Sequence, residues 1–371
     1  MLKQQFAKAA FILFLASCLI AGCRRTAHIT DGNILSHASF LTMSECDGGI
    51  DVTILNPWKE NAVLHSYRLC QGTVANDSPS SVGSLIRIPA GRAVVMNNCH
   101  CRLLEELGVA DRIVGVCESE FISDSIIRHA IEVGNIIDCG NSMHPDIEKI
   151  IELHPDIILV SPFEESGYGQ LAKLGIPLVE CADYMERTPL GRTEWMRFYG
   201  LLFGAGPQAD SLFQCISDRY VEMQKLAEQV PEHPRVMVDT KGGSAWYMPG
   251  GQSSIGQIIS DAGGDYVLSH DSSTGSVPLS FETVFDIASD ADVWILKNST
   301  SSSLTYTSLK EDFAPYSRFK PFRDGNIWVC DVYSTPYFEI TAFHPEILLQ
   351  DFIAIFHPSI GGFTTFYNPM R

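Results

Sequence analysis

Cys99-His100-Cys101 sets two thiols around an imidazole, the sharpest local cluster of soft ligands in the chain. Thiolate and imidazole together suit zinc, copper or haem iron, so a haem- or metal-ion-binding protein is one reading. Zinc sites, however, usually place their cysteines about two to four residues apart, and no second Cys/His cluster completes a ligand set. A strand-to-helix turn with buried thiols accounts for the same triplet. An envelope thiol-redox protein is the enzymatic alternative, and it would require an accessible cysteine of depressed pKa. The sequence holds no phosphate loop, no His-Glu-x-x-His, no nucleophile elbow and no Cys-x-x-Cys pair. It therefore reads as a non-enzyme without a cofactor of its own.

Cys23 is a different kind of reactive cysteine. Lys3 and Lys8 precede an apolar run over 11–20, and Leu19-Ile20-Ala21-Gly22 leads into Cys23. A run of about ten apolar residues fits a signal peptide and is too short to span a bilayer. Residues 1–22 are therefore expected to be removed and Cys23 lipidated, which holds the protein on the periplasmic face of a membrane in the cell envelope. Arg24 and Arg25 follow the cysteine, and which membrane carries the anchor is left open. Of eleven cysteines, loss of Cys18 and lipidation of Cys23 leave nine, an odd number that argues against a disulfide framework. The formal charge is −18 and the lost segment contains lysines but no acids, so the mature surface is strongly acidic. That disfavours nucleic acid as a partner and suits docking on a basic protein surface; a monomer is expected.

The elements that would position such residues repeat. After a polar tether and a small β-rich segment, short buried strands are expected at 93–96, 112–116, 157–160 and 176–179. Helices alternate with them at 101–107 and 145–154, the latter with Pro145 in its first turn. Similar strands recur at 235–238, 293–296 and 327–330, with helices at 256–262, 281–288 and 345–356. Between the halves, 194–230 is helical with a break at Gly204-Ala205-Gly206-Pro207. Its second part, 208–230, carries Leu212, Phe213, Ile216, Tyr220, Met223 and Leu226 as one apolar stripe, on the order of 34 Å long. The fold class is α/β: two α/β lobes with mainly parallel central sheets, joined by one long rigid helix. The expected organisation is 1–22 signal peptide, 23–83 tether and β-rich segment, 84–206 N-terminal lobe, 207–231 connecting helix and 232–371 C-terminal lobe.

Several segments carry a family resemblance by their order and spacing. Pro145-Asp146-Ile147-Glu148 leads through His154-Pro155-Asp156-Ile157 into a strand. Pro189-Leu190-Gly191-Arg192-Thr193-Glu194-Trp195, Ser260-Asp261-Ala262-Gly263-Gly264 and Pro278-Leu279-Ser280-Phe281-Glu282 follow, and His344-Pro345-Glu346 opens the last helix. Over about 86–358 the chain resembles the substrate-binding proteins of ABC importers for iron–siderophore complexes and cobalamin.

The resemblance implies capture of an iron–siderophore or cobalamin-type ligand in a cleft between lobes and delivery to an ABC permease with its ATPase, a haem-like ligand belonging to the reading built on Cys99, His100 and Cys101. Glu148 and Glu282, one per lobe and each beside an apolar helix stripe, match the family's permease-docking glutamates. In the first lobe Asn98, Cys99, His100, Glu120, Phe121, Ser142 and Met143 are the candidate ligand contacts. In the second they are Trp246, Tyr247 and Tyr333, with Asp271 to Gly275 and Tyr337 nearby. Trp246 and Tyr247 interrupt a Gly/Pro-rich loop and suit a flat conjugated ligand. Glu118 and Glu120 would repel anionic ferric siderophores, which leaves neutral, cationic or corrinoid ligands open.

Overall fold

In the computed structural model, which describes residues 32–72 and 83–371, period-two burial shapes the first of the described elements. Strands β1 (Leu41–Cys46), β2 (Gly49–Leu55), β3 (Val63–Gln71) and β4 (Ser84–Ile88) pair in that order, β4 parallel to β3 and the others antiparallel. Met43, Val52, Ile54, Tyr67, Leu69 and Ile86 point to one face and join the core of the first lobe. The expected boundary at 83 thus falls inside this sheet. The sheet is also fastened by polar contacts: the Tyr67 hydroxyl donates to the Leu178 carbonyl at 2.9 Å and accepts the Glu180 N–H at 3.0 Å. Buried Glu194 accepts the N–H groups of His37 and Ala38 at 2.7 and 2.8 Å, and Glu186 takes that of Phe40 at 2.9 Å.

The first lobe is built on β5 (Ala93–Val95), β6 (Ile113–Val116), β7 (Ile137–Asp138), the hairpin β8 (Gly140–Asn141) and β9 (His144–Pro145), β10 (Ile157–Val160) and β11 (Leu178–Glu180). Its central sheet runs β11-β10-β5-β6-β7, entirely parallel. Both faces are covered, which explains why its strands are continuous apolar runs. Val95, Ile157 and Leu159 face one core, while Val94, Ile158 and Val160 face another.

In the second lobe the strands are β12 (Arg235–Val238), β13 (Lys241–Gly242), β14 (Ala245–Pro249), β15 (Asp265–Tyr266), β16 (Ser276–Leu279), β17 (Val293–Asn298), β18 (Ile327–Asp331) and β19 (Tyr367–Pro369). The order β15-β12-β17-β18-β19 is parallel except for β19, and β13-β14-β16 form a separate antiparallel sheet.

The Gly206–Ala227 helix, 22 residues long, joins the lobes. At 1.5 Å per residue it spans about 33 Å. Phe213 and Ile216 pack into the first core and Tyr220 and Ala227 into the second, so one stripe serves both lobes. Leu226, expected in that stripe, is instead exposed, because Ala227 takes the inward position one residue later. The helix expected at 145–154 is Ile147–Glu152: Pro145 lies in β9, and the Asp146 side chain caps the first turn by accepting the Lys149 N–H. A second tie between lobes is Phe343, which packs into the first core with its ring 5.8 Å from His100 and 6.0 Å from Tyr199.

Candidate functional site

Loops at the carboxyl ends of β5, β6, β10 and β18 converge on a cleft of about 1280 Å³. That is where open parallel sheets receive ligands, because the crossing helices leave the strand ends uncovered. The volume exceeds the roughly 300–1,000 Å³ of common small-molecule sites and has room for a macrocycle-sized ligand. One wall draws on 96–99, 117–123, 142–147, 160–171 and Arg192; the other is 332–341 of the second lobe.

Phe121, Met143, Phe163, Tyr333 and Phe338 line this cleft while 46–65% exposed. A cluster of uncovered apolar side chains in a concavity is a binding surface awaiting a partner of its own kind. The loops that present them are fixed by polar contacts. Asn97 caps the Asn98–Glu106 helix by accepting the Cys99 N–H at 3.1 Å, and the Asn98 amide donates to the Phe121 carbonyl at 3.1 Å. Glu118 adopts φ 53°. Its carboxylate accepts the Asn141 amide and the Ser142 hydroxyl, each at 3.0 Å, pinning the hairpin tip that carries Met143. On the opposite wall Asp331 accepts the Tyr333 N–H at 3.1 Å and the Ser334 hydroxyl at 2.6 Å. Buried Glu339 reaches across to the first lobe, accepting the Ser123 N–H at 2.6 Å and its hydroxyl at 2.8 Å.

These contacts orient the charged groups of the site. Glu118 and Glu339 are spent on loop donors, which leaves Glu120, Arg128 and Arg192 as the uncommitted or partly committed charges of the lining.

His100 is the principal correction. It lies behind the cleft wall, 3% exposed, with Nε2 2.8 Å from Asp183 Oδ1. Asp183 also accepts the Tyr199 hydroxyl at 2.9 Å and Arg192 Nε at 3.1 Å. Burial alone would raise the Asp183 carboxyl, but His100, Arg192 and Tyr199 outweigh it and hold it at about 2. Cys101 is fully buried, and burial pushes its thiol up; burial likewise pushes Cys117 and Cys181 up to about 12. Protonated, enclosed thiols do not serve as nucleophiles or ready metal ligands. Among the described residues no group of three or more His, Cys, Asp or Glu side chains is placed to hold a metal. Cys99-His100-Cys101 is thus a capped turn with a buried imidazole, of which Cys99 alone reaches the cleft lining.

Trp246 and Tyr247 are corrected for a different reason. They belong to β14, whose pairing with β13 and β16 turns alternate residues inward. Trp246 is fully buried, 5.9 Å from the Trp294 ring, with its indole N–H donating to the Val238 carbonyl at 3.1 Å. Tyr247 faces outward and is not part of the cleft lining; Tyr337 is buried. The structure brings Asn98, Cys99, Glu120, Phe121, Ser142, Met143 and Tyr333 together, and excludes His100, Trp246 and Tyr247. It adds Phe163, Tyr168, Arg192, Phe338 and Glu339. Phe163 and Tyr168 lie in the loop that leaves the buried parallel strand β10, the sequence signal that would have found them.

Glu148 and Glu282 are each the second residue of a helix, at Ile147–Glu152 and Phe281–Ala288, and both are exposed outside the cleft. Each helix feeds a central parallel strand of its lobe, β10 or β17. Cys23 lies outside the described residues.

A family model described as periplasmic binding protein matches residues 94–330. An uncharacterized lipoprotein of Methanocaldococcus jannaschii is 29% identical over 285 residues, 74% of this chain and 67% of that protein. Among solved structures, a periplasmic heme binding protein from Pseudomonas aeruginosa superposes with a TM-score of 0.60 at 16% identity, covering 76% of this chain and 98% of that one. The Fe3+–Desferal-bound siderophore binding protein of Vibrio cholerae gives 0.53 at 15% identity, covering 71% and 98%. At such identities the likeness concerns the fold.

Proposed function

The chain belongs to the periplasmic binding protein family, and we propose that it is the ligand-capturing component of an ABC importer. The observation that carries this reading is the interlobe cleft whose uncovered side chains are Phe121, Met143, Phe163, Tyr333 and Phe338. Apolar and aromatic walls with a few fixed polar groups suit a large, partly flat ligand: an iron–siderophore complex, a haem-type tetrapyrrole or a cobalamin. The structural neighbours described as heme- and siderophore-binding support that range. Lipidation at Cys23 would keep the collector at the periplasmic face, in agreement with a relative named a lipoprotein. One lipidated residue suffices for location when it carries more than one acyl chain, since a single chain anchors only marginally.

Binding then draws the walls together by a modest movement, since a continuous 22-residue helix and the Phe343 contact both tie the lobes. Glu148 and Glu282 would present the loaded protein to arginines of the permease. The test is calorimetric titration of the full chain with haemin, a ferric hydroxamate and cyanocobalamin. At least one is expected to bind at micromolar or tighter affinity, and Phe121→Ala with Tyr333→Ala should weaken it about ten-fold or more. Absence of binding by all three, or binding indifferent to both substitutions, contradicts the proposal.

A further inference from the structure

The sheet formed by β1 to β4 lies outside the residues matched by the family model, which begin at 94. A line of hydrogen bonds nevertheless carries it to the cleft. Strand β11 ends the central sheet of the first lobe, so its outer edge offers backbone groups that no further described strand pairs. The hydroxyl of Tyr67, a fully buried residue of β3, takes two of them: it donates to the Leu178 carbonyl at 2.9 Å and accepts the Glu180 N–H at 3.0 Å. The Glu180 side chain, itself buried, accepts in turn the hydroxyl of Tyr168. Tyr168 lines the cleft, whereas Tyr67 and Glu180 stand behind its wall.

Tyr168 has need of such a hold. It sits in the loop after β10 at φ 50°, a left-handed conformation uncommon for an aromatic residue. Gly167 and Gly169 flank it and leave the chain around it free to turn. Residues 163–165 and 169–170 of the same loop are exposed, so little apolar packing fixes its course. Side-chain hydroxyls tie it down instead: that of Tyr168 on Glu180, and that of Tyr184 on the Pro162 carbonyl at 2.5 Å. With its hydroxyl committed to a buried carboxyl group, Tyr168 offers its ring to the cleft, beside Phe163 and Leu171.

We infer that the N-terminal sheet is a buttress of the ligand site: Tyr67 fixes Glu180, Glu180 fixes Tyr168, and Tyr168 presents its ring to a flat or macrocyclic ligand. The inference rests on the capture reading above. Tyr168 is the residue that touches ligand, and Tyr67 and Glu180 are positioning residues that act through it. Residues 41–88 thereby take a part in binding beyond that of a spacer.

The experiment titrates the full chain, held in amphipol, with haemin, a ferric hydroxamate and cyanocobalamin, and follows whichever binds tightest. Tyr168→Phe and Tyr67→Phe each remove a hydroxyl and keep the ring. Each should weaken binding about three- to ten-fold, the range that one hydrogen bond spans. The double variant should lose no more than the worse single one, because both cut the same line. Glu180→Gln still offers an acceptor and should keep most of the affinity that Glu180→Leu loses. Without ligand, hydrogen exchange at 161–171 should quicken in Tyr67→Phe and Glu180→Leu, a local change that general loss of sheet stability would not confine there. Met43→Ala is the control: it opens the core beneath β1, two strands from β3, and should lower stability while the folded protein binds as wild type does. Unchanged affinity in Tyr67→Phe overturns the buttress, as do additive losses in the double variant or an equal loss of affinity in Met43→Ala. In those cases ligand capture still stands. Failure of every probe to bind the wild type overturns capture and the buttress with it.

Discussion

His344 joins the two lobes through a pair of carboxylates, with Nε2 2.8 Å from Glu106 and Nδ1 2.9 Å from Glu346. Burial would lower its pKa, but the two hydrogen-bonded acids prevail and raise it from 6.5 to about 9. A histidine raised in the folded state stabilises fully below its unfolded value and loses that contribution as pH climbs through the folded one. The window here is pH 6.5 to about 9, and the contribution is at most about 3 kcal/mol. Calorimetric unfolding at pH 6 and pH 9.5 should show a fall in wild-type stability across this range that His344→Gln lacks; parallel falls in both proteins would refute the linkage. His100 shows the limit of reading single residues from sequence. Its neighbours Cys99 and Cys101 suggest a ligand set, yet its actual partner, Asp183, is 83 residues away in the chain. Only the folded backbone brings the two together.

At the scale of elements, periodicity was a good guide where an element is determined by its own residues. Strands β5, β6 and β10 are continuous buried runs, β12 and β17 nearly so, and the long helix was legible from its three- and four-residue steps. It failed where pairing is decided elsewhere. Residues 241–249 hold glycine and proline and read as a loop, but β14 is paired on both sides and buries Trp246 among Trp294, Tyr316 and Phe319. Trp246→Ala should therefore cost on the order of 3–5 kcal/mol by chemical denaturation while leaving ligand affinity unchanged near the surviving folded state. A specific loss of affinity without loss of stability would return Trp246 to the cleft. The N-terminal sheet presents the opposite case. Its alternation is plain in sequence, whereas its attachment through Tyr67, Glu186 and Glu194 spans more than 100 residues and carries no local signal.

Over the whole molecule, the two-lobed plan and the family were readable because the helix-to-strand order repeats in both halves, and the family model covers 94–330. The cleft was legible only in part. Its walls come from 96–192 and 332–341, and which side chains face each other depends on how the lobes are set by the Gly206–Ala227 helix and Phe343. The placement of Glu148 and Glu282 at equivalent helix starts belongs to this scale as well. Replacing both by Gln should abolish ligand uptake by cells while calorimetric affinity stays within about two-fold, because charge pairs at a docking face act on the partner and not on the cleft. Loss of ligand affinity in that variant would remove the docking assignment.

The most direct measurement of capture between the lobes is hydrogen exchange of the full chain with and without saturating probe, chosen as the tightest of the three titrated. Ligand held in the cleft should slow exchange in 117–123, 142–147, 160–171 and 332–341 together, from both walls, and leave 245–249 unchanged. Protection confined to one lobe, or centred on 245–249, would contradict it.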